Sequence, residues 1–316
     1  MAVNVTVIGM DALGTSIGLA LKASKSPMNV TLHDREHSIA GEALRAGAGD
    51  RVEWNLLRAV SDADLVFVNE PLHQIRETIE VIGPELKPDA VVTDTVTVKE
   101  AVLHWAEEIL PANVHFVGGT PLVTADVPSP YLFQKHRYAI IPLTKTEEAA
   151  VRLVTDTVTL MGAEPFFISV AEHESLLAAV QHLPALTSAA LLQLTAGSQS
   201  WKEMASMASP TYGIATALPT EDPTALVMLL RHNRESLHHW LTALQRELGA
   251  IQTLLEQDDN GEALEEYLDN LMEARARWKQ AQQQNPDVPS HQDSLEQADE
   301  MRGLARWFGF GRRRSD

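Results

Sequence analysis

One stretch constrains the fold more than any other: "VTVIGMDALGTSIGLALK", residues 5–22. An apolar run closes on Gly9. A short turn leads to Gly14, and a helical pattern of small and apolar residues follows. Strand, tight turn and helix in this order commit the chain to an α/β start. Gly9 and Gly14 stand where a dinucleotide-binding turn has its first and third glycines. The second position, where a pyrophosphate approaches the backbone at the helix N-terminus, holds Asp11. A carboxylate beside a diphosphate costs on the order of a kcal/mol at a partly solvated site. Asp34 closes "VTLHD" twenty residues after Gly14, where an acidic side chain takes the ribose hydroxyls. Gly9, Asp11, Gly14 and Asp34 are therefore the candidate cofactor-binding residues. Asp34 points to NAD, because a carboxylate repels a 2′-phosphate, and the adjacent Arg35 keeps NADP open. Asp11 sets the question of how well either is held. Glu70, before Pro71, adds a second carboxylate to the same rim.

The first half of the chain continues the alternation. Short stretches rich in Val, Ile and Phe occur at 4–9, 29–34, 64–69, 90–94 and 114–118, then at 137–143 and 163–169. Most are apolar throughout, as strands buried on both faces are. Helical patterns separate them at 15–23, 38–46, 72–82 and 145–162. This predicts a parallel sheet covered by helices on both faces. Beyond about residue 170 the strand signal stops. Residues 171–196 read as a long apolar helix with Pro184 as a kink, residues 222–257 as a second long helix, and 261–280 as a weaker amphipathic one. Helices this apolar want a partner surface, which predicts a homodimer. The expected organisation is a parallel-sheet domain over 1–169, a helical domain over 170–281, and a linker with a C-terminal tail over 282–316.

Composition narrows the function classes. The net charge is −18, the wrong sign for a general nucleic-acid binder. Between Glu256 and Glu300 thirteen acids stand against three bases, so much of that charge belongs to a solvated C-terminal segment. The chain has no cysteine, which excludes disulfides and thiolate metal sites and suits a cytoplasmic location. No metal site is assigned. The N-terminus enters a strand pattern directly, unlike a signal peptide, and no apolar run reaches membrane-spanning length, so no membrane helix is expected. The ending "MRGLARWFGFGRRRSD" pairs aromatics with arginines and reads as a tail.

Several further stretches occur in a recognisable order. "VTDTVTVKE" supplies Asp94, Thr97 and Lys99; "FVGGTPLV" supplies Gly118, Gly119, Thr120, Pro121 and Leu122; "AEHESLLAAV" and "QHLPA" supply His173 and His182; Asp222-Pro223 and Asn233-Arg234 follow. Collinear over residues 3 to about 250, the set resembles the prephenate/arogenate dehydrogenase family. The resemblance implies a Rossmann-like N-terminal domain followed by an all-α dimerisation domain, a nicotinamide cofactor, and a small carboxylic acid as substrate. It implies oxidative decarboxylation in tyrosine biosynthesis: a hydride leaves a ring carbinol, a histidine takes the hydroxyl proton, and a serine and cationic side chains hold the substrate. A base with pKa near 7 and planar cationic donors suit that chemistry.

The chain departs from the family pattern at the chemistry. Thr120 stands at the histidine of the family's Gly-Gly-His-Pro segment, Ala185 at the second histidine of His-Leu-Pro-His, and Thr97 at the serine. "SPTYGIATALPTEDP" contains no basic residue where an arginine belongs. The residues that the resemblance places at the catalytic site are thus Thr97, Lys99, Thr120, His173 and His182, with His173 or His182 as substitute base and Arg231, Arg234 or Lys202 as substitute cation. Each also has a structural reading. Lys99 can cap a strand end or pair with Glu100, His173 can lie beside Glu172, and His182 can be a core histidine. Asp94 can close a turn, and Thr120 can be a loop residue. Two functions follow: an NAD(P)-linked dehydrogenase impaired or altered in substrate, or a non-catalytic homologue that binds a ligand or a protein.

Overall fold

The computed structural model describes residues 2–218, 222–257 and 260–284. Its first part alternates strands and helices: β1 (Val3–Ile8), α1 (Ala12–Ala23), β2 (Met28–His33), α2 (His37–Arg45), β3 (Arg51–Val52), α3 (Leu56–Val60), β4 (Leu65–Val68), α4 (Leu72–Ile82), β5 (Val91–Asp94), α5 (Glu100–Ile109), β6 (His115–Pro121), β7 (Arg137–Pro142), α6 (Glu148–Leu160) and β8 (Glu164–Phe167). They form one sheet in the order β3-β2-β1-β4-β5-β6-β7-β8. The order reverses between β1 and β4, which opens a crevice at the carboxyl ends of those strands.

The central strands are buried on both faces, with Val7, Leu65, Phe67, Val68 and Val92 fully enclosed. The helices bury one stripe each. In α4 that stripe is Leu72, Ile75, Ile79 and Ile82, each worth about 1.5–3 kcal/mol on leaving water. The sheet is not parallel throughout: β7 pairs antiparallel with β6, and β8 runs parallel to β7. Residues 122–136 between β6 and β7 contain no helix. Without a helical crossover the chain returns antiparallel.

The second part is helical: α7 (Val170–Leu177), α8 (Leu183–Ala196), α9 (Trp201–Met207), α10 (Pro210–Ala215), α11 (Pro223–His232), α12 (Arg234–Gln257) and α13 (Glu262–Gln284). A π-turn, Ala178–His182, joins α7 to α8 without a break. It lies just before Pro184, whose missing N–H and ring disturb the α-helical ladder there. The resulting helix, Val170–Ala196, is long and apolar enough to cross a membrane by length and composition. This corrects the expectation that no segment reaches that length; Glu172, Glu174 and two histidines interrupt the apolar run but not the helix.

Two other boundaries differ from expectation. Residues 222–257 form two helices, because Asn233 (φ −116°, ψ 31°) breaks the helical path. The helix expected over 261–280 continues to Gln284, into the segment read as a linker. The rest of that linker and the Arg/aromatic tail lie outside the described residues.

Candidate active site

The glycine turn needs its glycines. Gly9 has φ +87°, and a Cβ there would stand 2.0 Å from the Asn69 carbonyl oxygen; a Cβ on Gly14 would stand 1.9 Å from the Gly9 carbonyl oxygen. Asp34, at the end of β2, accepts the Met10 N–H at 2.7 Å and the Glu36 N–H at 2.8 Å. It therefore fastens the turn to β2 and keeps lone pairs for further donors. Asp11 is the N-cap of α1. Its Oδ1 accepts the Gly14 N–H at 2.9 Å and the Asn69 Nδ2–H at 2.7 Å, which satisfies one of the helix's four orphan amides. The carboxylate thus sits where the turn would present its amides to a phosphate. Glu70 is not an additional free charge on the rim. It is buried, pairs with Arg35 Nε at 3.2 Å, and accepts the Thr78 hydroxyl. Arg35 also lies 3.7 Å from Glu77.

The carboxyl ends of the next strands form a buried polar group. Asp94 and Lys99 are fully enclosed and form an ion pair. Lys99 Nζ also donates to the Gly119 carbonyl at 2.5 Å, and Asp94 accepts the Gly119 and Val96 N–H groups at 3.2 Å each. Burial raises the Asp94 carboxyl pKa and lowers the Lys99 amine. Lys99 pairs with Asp94 rather than Glu100, and it braces β5 against β6. Thr120 lies inside β6 rather than in a loop. It is fully buried, and its hydroxyl donates to the Val96 carbonyl at 2.9 Å.

Helix α7 brings in the second part of the chain. Glu174 Oε1 accepts the backbone N–H of Lys99 at 2.5 Å and of Glu100 at 3.0 Å, so it caps α5 from a distant segment. His182, in the π-turn, is 2% exposed. Its Nε2 lies 3.4 Å from Thr97 Oγ and its Nδ1 2.9 Å from Asn233 Nδ2. His173 is equally buried, and neither ring nitrogen has a partner. Burial lowers both histidine pKa values to about 4, with Lys99 and His182 adding to the effect on His173. Both rings are neutral at pH 7.

Thr97, Lys99, Thr120, His173 and His182 therefore converge on one seam between sheet and helices. The glycine turn with Asp11 and Asp34 lies along the same sheet edge. Asn69, Glu174 and Asn233 complete the network. Asn69 carried a signal in the sequence, a polar residue ending an apolar strand at the ligand-bearing edge of an α/β sheet. Of the candidate cations, Arg231 and Arg234 line a cleft of about 580 Å³ with Glu100, Glu174 and Asn233. Lys202 is exposed on α9.

A glycine turn, an acid at the end of the second strand and a helical unit closing over the strand ends define a Rossmann-like, dinucleotide-binding type of fold with a helical second part. The match is more specific than that class. Residues 17–166 match the prephenate dehydrogenase nucleotide-binding domain and residues 169–270 the prephenate dehydrogenase dimerization domain. The chain belongs to the prephenate dehydrogenase family. It is 25% identical to the cyclohexadienyl dehydrogenase of Zymomonas mobilis, over 87% of this chain and 96% of that protein. It is 24% identical to the prephenate dehydrogenase of Bacillus subtilis, over 81% and 71%. Among solved structures, the A. aeolicus prephenate dehydrogenase in complex with hydroxyphenyl propionate and NAD+ superposes with a TM-score of 0.80 at 21% identity, covering 88% of this chain and 98% of that one.

Proposed function

We propose that the chain is an NAD(P)-linked dehydrogenase of a small hydroxy carboxylic acid, altered in substrate relative to prephenate dehydrogenation. The observation that supports this reading best is the chain Thr97–His182–Asn233 beside the Asp94–Lys99 pair. Next to this satisfied chain the two buried, unpartnered ring nitrogens of His173 are costly to keep without a polar ligand to meet them. The turn residues Gly9 and Gly14, the α1 N-terminus and Asp34 suit a dinucleotide, and Asp34 favours NAD. The nicotinamide supplies the hydride acceptor when bound. Thr97 Oγ is the group assigned to the substrate oxygen. His173 has two unclaimed ring nitrogens and is the histidine assigned to take the hydroxyl proton. Thr120 cannot act as that base. Arg231 and Arg234 are assigned to the carboxylate.

Missing a base at the family position should slow prephenate or arogenate oxidation by roughly a hundred- to ten-thousand-fold. NADH formation with each, at several pH values, tests this. Turnover near the common enzyme scale of about ten per second would refute the altered-substrate reading. The Asp11 carboxylate at the helix terminus favours a second reading, a homologue that has lost dinucleotide binding. Thermal shift with NAD and NADP separates the two, since a ligand at a hundred times its Kd stabilises the folded form by about 2.7 kcal/mol.

A further inference from the structure

The break between α11 and α12 places Asn233, 4% exposed, directly over the π-turn. Its Nδ2 serves two acceptors at once: the Glu174 backbone carbonyl at 3.3 Å and His182 Nδ1 at 2.9 Å. A carbonyl can only accept. The amide must therefore present its NH₂ to this side, because the flipped amide would set two oxygens against each other. It follows that Nδ1 of His182 is the acceptor. A neutral imidazole has one N–H, so that proton is on Nε2, which faces Thr97 Oγ at 3.4 Å. Trp240 Nε1–H donates to the neighbouring Ser175 carbonyl at 3.1 Å. Side chains of α12 and its leading residue thus secure two carbonyls just ahead of the π-turn and fix where the ring stands.

Resting on the dehydrogenase reading above, we infer that Asn233 is the positioning residue that sets the hydrogen-bond direction of the site, holding His182 as an Nε2–H donor to Thr97. The consequence is specific. Nε2 cannot accept a proton while it carries one, so His182 is excluded as the substitute base. The Thr97 hydroxyl, receiving from His182, has its own hydrogen free to donate to a substrate oxygen. The titratable group whose charge couples to the His182 ring is His173 from α7. It is hydrogen-bonded to neither His182 nitrogen, and the Thr97 hydroxyl on Nε2 can donate or accept, so the fixed donor of Asn233 on Nδ1 decides which nitrogen is protonated.

The full-length chain, labelled with ¹⁵N-histidine, provides the test through long-range proton–nitrogen correlation spectra. A His182→Gln variant identifies the His182 signals. The unaltered protein at neutral pH should show a protonated Nε2 and a bare Nδ1. An Nδ1–H tautomer or an imidazolium there would overturn the inference, and this measurement needs no Asn233 variant to fold. Asn233→Asp presents only acceptors to Nδ1. It should move the proton to Nδ1 and raise the titration midpoint of the ring by about one unit or more. A folded Asn233→Asp protein with an unchanged tautomer would also overturn it. Because the readout is independent of turnover, the expected spectra with no activity on any hydroxy acid would refute the dehydrogenase reading and leave the positioning role intact.

Discussion

Asp11 occupies two roles that a neutral residue would separate. As N-cap it satisfies the Gly14 amide; as a charge it opposes a diphosphate at the same helix end. Asp11→Asn keeps an acceptor for Gly14 and removes the charge. Its affinity for NAD should rise, by about tenfold for each 1.4 kcal/mol of repulsion relieved, with little change in melting temperature. Asp11→Ala removes the cap as well and should cost about 0.5–2 kcal/mol of stability. Calorimetric titration of NAD into both variants checks this, and equal affinity in Asp11→Asn and the parent chain would remove the electrostatic explanation. Arg35 permits a second substitution of the same kind. It is 3.2 Å from Glu70 and 3.7 Å from Glu77, so its guanidinium is already engaged by carboxylates. Glu70→Gln should free it for a 2′-phosphate and shift preference from NAD towards NADP. Paired titrations of the two cofactors would show this as a fall in their affinity ratio.

At the scale of elements, the Asp94–Lys99 pair joins the end of β5 to β6 through Gly119. Lys99→Met would leave a buried carboxylate without its cation. The expected cost is about 3–5 kcal/mol, measured as a fall in the urea midpoint at unchanged slope. The α7–α8 helix makes a different prediction. His173 and His182 titrate near 6.5 when unfolded and at about 4 when folded. Between those values the unfolded chain binds more protons, so folding stability falls as pH drops from about 6.5 towards 4 and is fully present above 6.5. Melting temperatures across that window should decline, and the decline should be shallower in a His173→Gln, His182→Gln double variant. These elements also mark what the sequence could reveal. The central strands were legible because burial on both faces leaves uninterrupted runs of Val, Ile and Phe. The two-residue β3, the five-residue α3 and the break at Asn233 were not, because each depends on tertiary contacts rather than a periodic pattern. The glycine turn was legible because its determinants lie within a few residues of one another. The roles of Glu174 and of Asn233, which the sequence offered only as part of an Asn-Arg pair, were hidden: the first caps a helix 75 positions earlier in the chain, and the second meets a histidine 51 positions before it.

For the whole molecule, the two parts of the chain differ in how completely they bury themselves. The sheet half encloses its apolar residues in a layer on each side. The helical half does not. Only Ala185 is buried in the fourteen residues of α8, and α9, α10 and α11 bury none. Val180, Leu194, Met207 and Ile214 are 68%, 76%, 84% and 78% exposed. A soluble monomer rarely shows so many large apolar side chains on adjoining helices. A second copy applying the same surface would cover them, and a stable symmetric interface needs roughly 1,200 Å² or more in total. The match of residues 169–270 to a dimerization domain supports the same arrangement. Light scattering at micromolar concentration should therefore give about twice the 34.7 kDa chain mass, and the melting temperature should rise with protein concentration. Leu194→Asp introduces a charge on this surface without disturbing a packed core. It should shift the mass towards one chain and abolish the concentration dependence, while the sheet half keeps its secondary structure by circular dichroism. A monomer mass for the parent chain would refute the dimer; a dimer unaffected by Leu194→Asp would move the interface away from α8.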